Sequence, residues 1–106
     1  MGCHSLSNIT ISNITSINSQ AFNTCSSLVS IIIPSTVTSI ATKAFNNCYG
    51  LGEIHFNATT PPTVDASDTF TNIPTDCKIY VPTGYLSAYT SATNYPSSST
   101  YTYIEE

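Results

Sequence analysis

The sequence predicts a solenoid in which about four short strands stack into a parallel sheet, closed by a C-terminal cap with one short helix. The frame Cys-x-x-Leu-x-x-Ile-x-[Ile/Phe] occurs three times, beginning at Cys3, Cys25 and Cys48. A second frame, Ala-Phe-Asn-x-Cys, occurs at 21–25 and again at 44–48. Each unit is too short to bury its own apolar residues, so neighbouring units must cover them.

In the Ile-x-[Ile/Phe] element at the end of each frame, the frame residues stand at every second position, and this period of two is typical of a half-buried strand. A weaker fourth copy places Ile73 at the cysteine position and ends at residues 79–81. We expect the alternate strand residues and the frame leucines to point inward, namely Leu6, Ile9, Ile11, Leu28, Ile31, Ile33, Leu51, Ile54, Phe56, Ile79 and Val81. The opposite wall is expected to contain Ile17, Phe22, Ile40 and Phe45.

The last third of the chain departs from the repeat. Leu86 and Tyr89 stand three residues apart, which favours one short helix within 85–92, and residues 101–104 predict a final strand. A closing unit that breaks the pattern is typical of a cap over the last rung.

We interpret residues 1–106 as a single repeat domain. Its repeats span about 3–24, 25–47 and 48–72, with the terminal rung and cap at 73–106. The first repeat has no cap before it, so its apolar residues are expected to form an open rung. This predicts either that the chain is the C-terminal part of a longer array or that it self-associates through that rung.

The composition excludes several partners. Charged residues make up 8% of the chain, against about 25% in a typical soluble domain, and the polar residues are instead 16 Ser, 17 Thr and 9 Asn. With only Lys43 and Lys78 as basic residues and a net charge of -4, neither nucleic acid nor an anionic membrane is expected as a partner. No apolar run is long enough to span a membrane. No signal peptide is recognisable near Met1, and from this we expect either a cytosolic protein or a chain that lacks its natural N-terminus.

The cysteines occupy one repeat position and are expected to stack on neighbouring rungs. Zinc requires four ligands around one point, and parallel Cβ vectors disfavour a disulfide. We therefore expect buried thiols that pack as small apolar side chains. Cys77 lies out of register with the frame and has no assignment from the sequence.

Catalytic and metal sites are not expected. His4 or His55 combined with Asp65, Asp68 or Glu53 and a serine gives a nominal triad, but such sets occur in any Ser-rich chain. No Gly-x-Ser-x-Gly motif accompanies them. Two aspartates are few for a calcium ion that takes 6–8 oxygens. The sequence thus predicts no enzyme, no cofactor and no metal.

The outward side of the stacked strands is the candidate binding surface. Its two rows of residues contain, besides Asn8, the candidate binding residues Thr10, Ser30, Ile32, Glu53, His55, Lys78 and Tyr80. Ile32 and Tyr80 resemble the anchors that interfaces favour, and Glu53 is expected to pair with Lys78 on the next rung, worth about 0.2–1 kcal/mol. An ordinary solvated sheet face would explain the same pattern.

The repeat frame, the run Pro-Ser-Thr-Val-Thr-Ser-Ile at 34–40 and the closing segment at 79–84 resemble BspA-type leucine-rich repeat proteins over nearly the whole chain. The resemblance implies a leucine-rich-repeat solenoid, a β-rich α/β fold. It also implies a surface or secreted protein of bacteria or some protists that serves adhesion and protein–protein contact without catalysis. A tryptophan often found in the closing segment is missing, and Tyr95 stands in its place.

Two functions from different classes remain open. The first is a non-catalytic binding or adhesion module that contacts a host surface or extracellular protein through its outward residues. The second is a purely structural terminal unit that closes a longer repeat array.

Overall fold

The computed structural model describes residues 8–10, 14–25 and 27–106, and for residues 8–10 it describes the backbone alone. Expectations about the side chains of Cys3, His4, Leu6, Ile9 and Ile11 therefore lie outside the described part of the chain.

The described residues form short strands and one helix. In chain order these are β1 (Asn8–Thr10), β2 (Ser16–Ile17), β3 (Ser30–Ile33), β4 (Ser39–Ile40), β5 (Glu53–Phe56), β6 (Thr63–Val64), β7 (Lys78–Val81), α1 (Leu86–Thr90) and β8 (Thr102–Glu105). The predicted short helix and the predicted closing strand are both present, the strand one residue later than expected.

The larger sheet is parallel throughout and has the strand order β1-β3-β5-β7-β8. Its register places Ile31 beside Ile54 and Ile54 beside Ile79, so equivalent residues of successive repeats lie side by side. Neighbouring parallel strands need a connection that is long enough to bring the chain back to the edge of the sheet where the first strand began. The intervening residues provide that connection, and the predicted solenoid of stacked strands is confirmed.

The returning segments form a second parallel sheet of three two-residue strands, in the order β2-β4-β6. Ile17 lies beside Ile40, and Ile40 beside Val64, and all three side chains are buried. Residues of both sheets belong to one apolar core. The second repeat frame therefore provides the opposite wall, as predicted.

The predicted inward positions of the described strands and frames are buried without exception, namely Leu28, Ile31, Ile33, Leu51, Ile54, Phe56, Ile79 and Val81. Three phenylalanines stack along the solenoid axis, with ring centroids 5.3 Å apart between Phe22 and Phe45 and 5.4 Å apart between Phe45 and Phe70. Aromatic contacts of this kind add about 0.5–1.5 kcal/mol per pair beyond burial.

Cys77 occupies a core position that the sequence frame did not assign. Its backbone N–H donates to the Pro74 carbonyl, as the N–H of Leu51 donates to the carbonyl of Cys48. Both Cys77 and Leu51 are fully buried. Cys77 therefore takes the place of the frame leucine. The segment between Cys77 and β7 is one residue shorter than the segment between Leu51 and β5. This difference is why Cys77 does not align with the sequence frame.

The turns repeat their backbone conformation as the strands repeat theirs. Thr24, Asn47 and Asn72 occupy equivalent positions and have φ angles of 59°, 64° and 67°. Asparagine tolerates this left-handed conformation, whereas a β-branched residue such as threonine adopts it at a cost. The Asn72 amide also donates to the side-chain oxygen of Asn47 at 2.8 Å, so the turns are joined by a side-chain ladder.

The cap closes the last rung with tyrosines. The Tyr89 hydroxyl donates to the Ala58 carbonyl and the Tyr95 hydroxyl to the Pro62 carbonyl, both at 2.6 Å. The Tyr95 ring lies 5.5 Å from Phe56 and 5.7 Å from Tyr89 between centroids. A tyrosine can thus cover the end of the core and satisfy backbone carbonyls of the preceding loop at the same time.

Replacing Thr24 by asparagine is expected to stabilise the protein by about 1 kcal/mol, because asparagine adopts the left-handed conformation more readily than threonine. The new amide also extends the ladder to Asn47. The measurement is urea unfolding followed by circular dichroism. The reverse substitution Asn47→Thr is the matched control and is expected to destabilise; a Thr24→Asn variant no more stable than the parent would contradict the account.

Removing the Tyr89 hydroxyl is expected to lower stability by about 1–3 kcal/mol, because the partner carbonyl of Ala58 then loses its buried donor. Tyr89→Phe keeps the ring and its packing. The control is Tyr85→Phe, one helical turn earlier, where the side chain is exposed. Equal thermal midpoints for the two variants would show that this hydrogen bond does not hold the cap.

Candidate functional site

The residues between the inward positions of the large sheet form a continuous row across its outer side, here called the outer row. Ile32 lies beside His55, His55 beside Tyr80, and Tyr80 beside Ile104. These four side chains are half-buried. Thr10 lies beside Ile32 in the backbone register, but its side chain is outside the described part.

A second row on the same side comprises Ser30, Glu53, Lys78 and Thr102, which are neighbours in the register. Ser30 is half-buried and the other three are exposed. The predicted ion pair between Glu53 and Lys78 is wrong. Although the two residues lie on adjacent strands, the Glu53 carboxylate contacts the imidazole of His55 instead, because that ring is on its own strand two residues away.

His55 is the centre of this surface. Its ring stacks on the Tyr80 ring, with centroids 4.4 Å apart and an angle of 4° between the planes. Nδ1 lies 2.8 Å from Oε1 of Glu106, and Nε2 lies 2.9 Å from Oε1 of Glu53. Only the protonated imidazolium has a donor on both nitrogens, so this arrangement fits the charged ring.

The electrostatics favour the same protonation state. Burial lowers the pKa of His55, but the hydrogen bonds to Glu106 and Glu53 and the charges of these carboxylates raise it more, and the pKa lies above its ordinary value. The protonated ring is therefore favoured between the two carboxylates. The two glutamates are about half exposed, so water screens the cluster in part.

Sequence reasoning missed two residues of this surface. Ile104 could have been found by continuing the outer row into the predicted final strand. No feature of the repeat pattern pointed to Glu106. This residue lies beyond β8, and its side chain reaches back past β7 to a histidine 51 positions earlier in the sequence. Such a contact depends on the tertiary path of the chain and not on the repeat.

The other candidate residues do not assemble into a site. In the part of the chain that the structure describes, no three histidine, cysteine, aspartate or glutamate side chains are grouped as a metal site would require. Asp65 is exposed and Asp68 half-buried. Cys25, Cys48 and Cys77 are fully buried, as expected for thiols that pack within the core.

Two open grooves flank the segment Pro61–Pro62. One, of about 460 Å³, is bounded by residues 57–63 together with Ser35, Val37 and Thr38. The other, of about 260 Å³, lies between residues 61–64 and the cap residues Ala92, Thr93 and Tyr95. Neither groove has a charged side chain in its wall.

The fold and the outer surface together define a leucine-rich-repeat solenoid, a class whose repeats generally mediate protein–protein interaction. The family model of the BspA type leucine rich repeat region matches residues 1–106 in six copies. The chain therefore belongs to the BspA-type leucine-rich repeat family. No curated protein matches the chain. Among the described residues, no helix is both long and apolar enough to cross a membrane.

The buried cysteines are expected to resist thiol reagents in the folded protein. Burial raises the pKa of Cys77 to about 12, which keeps its thiolate scarce at pH 8. In a Cys3→Ser background, a coloured disulfide reagent should therefore react only after unfolding in guanidinium. Tyr49→Cys in the same background is the control: it places a thiol at a position that is 58% exposed and should react at once. Rapid reaction of the native Cys3→Ser protein would contradict the assignment.

Proposed function

We propose that this protein is a non-catalytic module at the cell surface or outside the cell, that it adheres to a host extracellular or surface protein, and that the outer side of the large sheet is the contact. The proposed binding residues are Thr10, Ser30, Ile32, Glu53, His55, Lys78 and Tyr80, together with Ile104. The family supports this proposal, since its repeats generally form surface or secreted interaction modules.

The observation that carries the proposal is the composition of the outer row. Ile32, the stacked pair His55–Tyr80, and Ile104 form a half-buried apolar and aromatic stripe across four neighbouring strands. Interfaces favour such a stripe when polar residues surround it. Here the second row, with exposed Glu53 and Lys78, provides the polar border.

The surroundings of His55 argue against catalysis by this residue. A histidine that activates a serine needs a ring nitrogen able to accept the hydroxyl proton. In this protein both ring nitrogens of His55 lie within 2.9 Å of carboxylate oxygens. While both carboxylates are in contact with the ring, neither nitrogen is available to accept that proton, which supports a binding role for His55.

A structural role is the second candidate function. The cap supports it, because four tyrosine hydroxyls donate to backbone carbonyls of the last turns and of the cap itself. A unit built in this way is suited to close a stack of repeats. On this alternative, the isolated protein binds no partner and its deletion destabilises the array to which it belongs.

The double variant Ile32→Ser and Tyr80→Ser is expected to lose at least tenfold in affinity for a partner, because it removes the two candidate anchors of the outer row. The measurement is surface plasmon resonance against a panel of purified host extracellular-matrix proteins. A partner that the parent binds and the double variant does not would support the proposed surface.

The matched control is the double variant Val29→Ser and Tyr49→Ser. It also removes one aliphatic and one tyrosine side chain, but both are exposed in the turns before β3 and β5 and lie off the outer row. The control should bind like the parent. Equal binding by the outer-row variant would reject this surface, and no binding to any member of the panel would favour the structural role.

A further inference from the structure

The His55 ring joins two carboxylates that come from different parts of the chain. Glu53 lies on the same strand, whereas Glu106 follows β8, and β7 lies between these two strands in the sheet. The ring stacks on Tyr80 of this intervening strand. A single side chain thus connects β5 with the residue that follows β8.

We propose that His55, Glu53 and Glu106 form a pH-dependent clasp. With its proton, the ring holds the Glu106 side chain across β7. Without that proton, the ring has one donor for two carboxylates, so it keeps the neighbouring Glu53 and releases Glu106. Release loosens the end of β8 and leaves the outer surface more negative by one charge. The clasp does not depend on the proposed function.

The charged and titratable groups around the ring come from three strands. Glu53 lies on β5, Lys78 and Tyr80 on β7, and Glu105 and Glu106 at the end of β8. Glu105 is already engaged, since its carboxylate accepts the backbone N–H of Gly84 at 3.0 Å. The β3 residue in register with the ring is uncharged, being an isoleucine. The two contacting carboxylates are therefore the charged groups that raise the pKa of His55 against the effect of burial.

The direction of the pH effect follows from the raised pKa of His55. A histidine with a higher pKa in the folded state stabilises that state while it is protonated. The contribution is fully present below the ordinary pKa of about 6.5. It is lost as the pH rises through the folded-state pKa. The end of β8 should thus be held more firmly in mildly acid solution than in alkaline solution.

The first test is an NMR titration of the His55 ring in a His4→Gln background, where His55 is the single histidine. We expect a pKa above the ordinary value, and a decrease toward that value in the further variant Glu106→Gln. Glu105→Gln is the control, because it makes the same charge change one residue away without touching the ring. A pKa at or below the ordinary value, or an equal decrease in both glutamine variants, would overturn the clasp.

The second test follows release directly, by hydrogen exchange of the Glu106 amide, which donates to the Val81 carbonyl. Its protection, corrected for intrinsic exchange, should fall as the pH passes the measured pKa of His55, while that of β3 stays constant. In His55→Gln the protection should be low at every pH. If the exchange protection of the Glu106 amide in the parent does not change with pH, the proposal is refuted, whether or not the protein binds a partner.

Discussion

The structure depends on one constraint: each coil of the chain buries its apolar residues only by lying in register against the next. Ile31, Ile54 and Ile79 are fully buried because each lies beside its equivalent in a parallel ladder. A slip of one residue would turn the inward row outward, since side chains in a strand alternate with a period of two. Register is thus the quantity that the sequence has to specify, and burial of the core follows from it.

The turns hold this register with devices that also repeat. Equivalent turn residues adopt the left-handed conformation, and asparagine amides bond from one turn to the next. The phenylalanines of successive turns stack at nearly constant spacing. Because serine, threonine and asparagine bond readily to nearby backbone groups, a chain with few charges can still order its loops. The unusual composition is therefore a consequence of the architecture.

The fold could be predicted from the sequence because register and burial are both periodic. The repeat frame located the inward residues of β3, β5 and β7. It failed at Cys77, where the link to the strand is one residue shorter. The candidate surface was predicted only in part. The outer row follows from the alternation of the strands, but side-chain partners do not, since a glutamate can turn to its own strand or to its neighbour. For this reason Glu53 was expected to pair with Lys78 but contacts His55 instead.

The scarcity of charge makes the arrangement around His55 informative. The chain has only six acidic and two basic residues, yet Glu53, Lys78 and Glu106 all lie on or beside the outer side of the large sheet. Four of the other charged residues are scattered singly over the turns and loops, namely Lys43, Asp65, Asp68 and Asp76. A surface that combines three of the eight charged residues with a stacked histidine–tyrosine pair differs chemically from the Ser/Thr/Asn-rich turns. This contrast supports the proposal that the outer side of the large sheet contacts a partner.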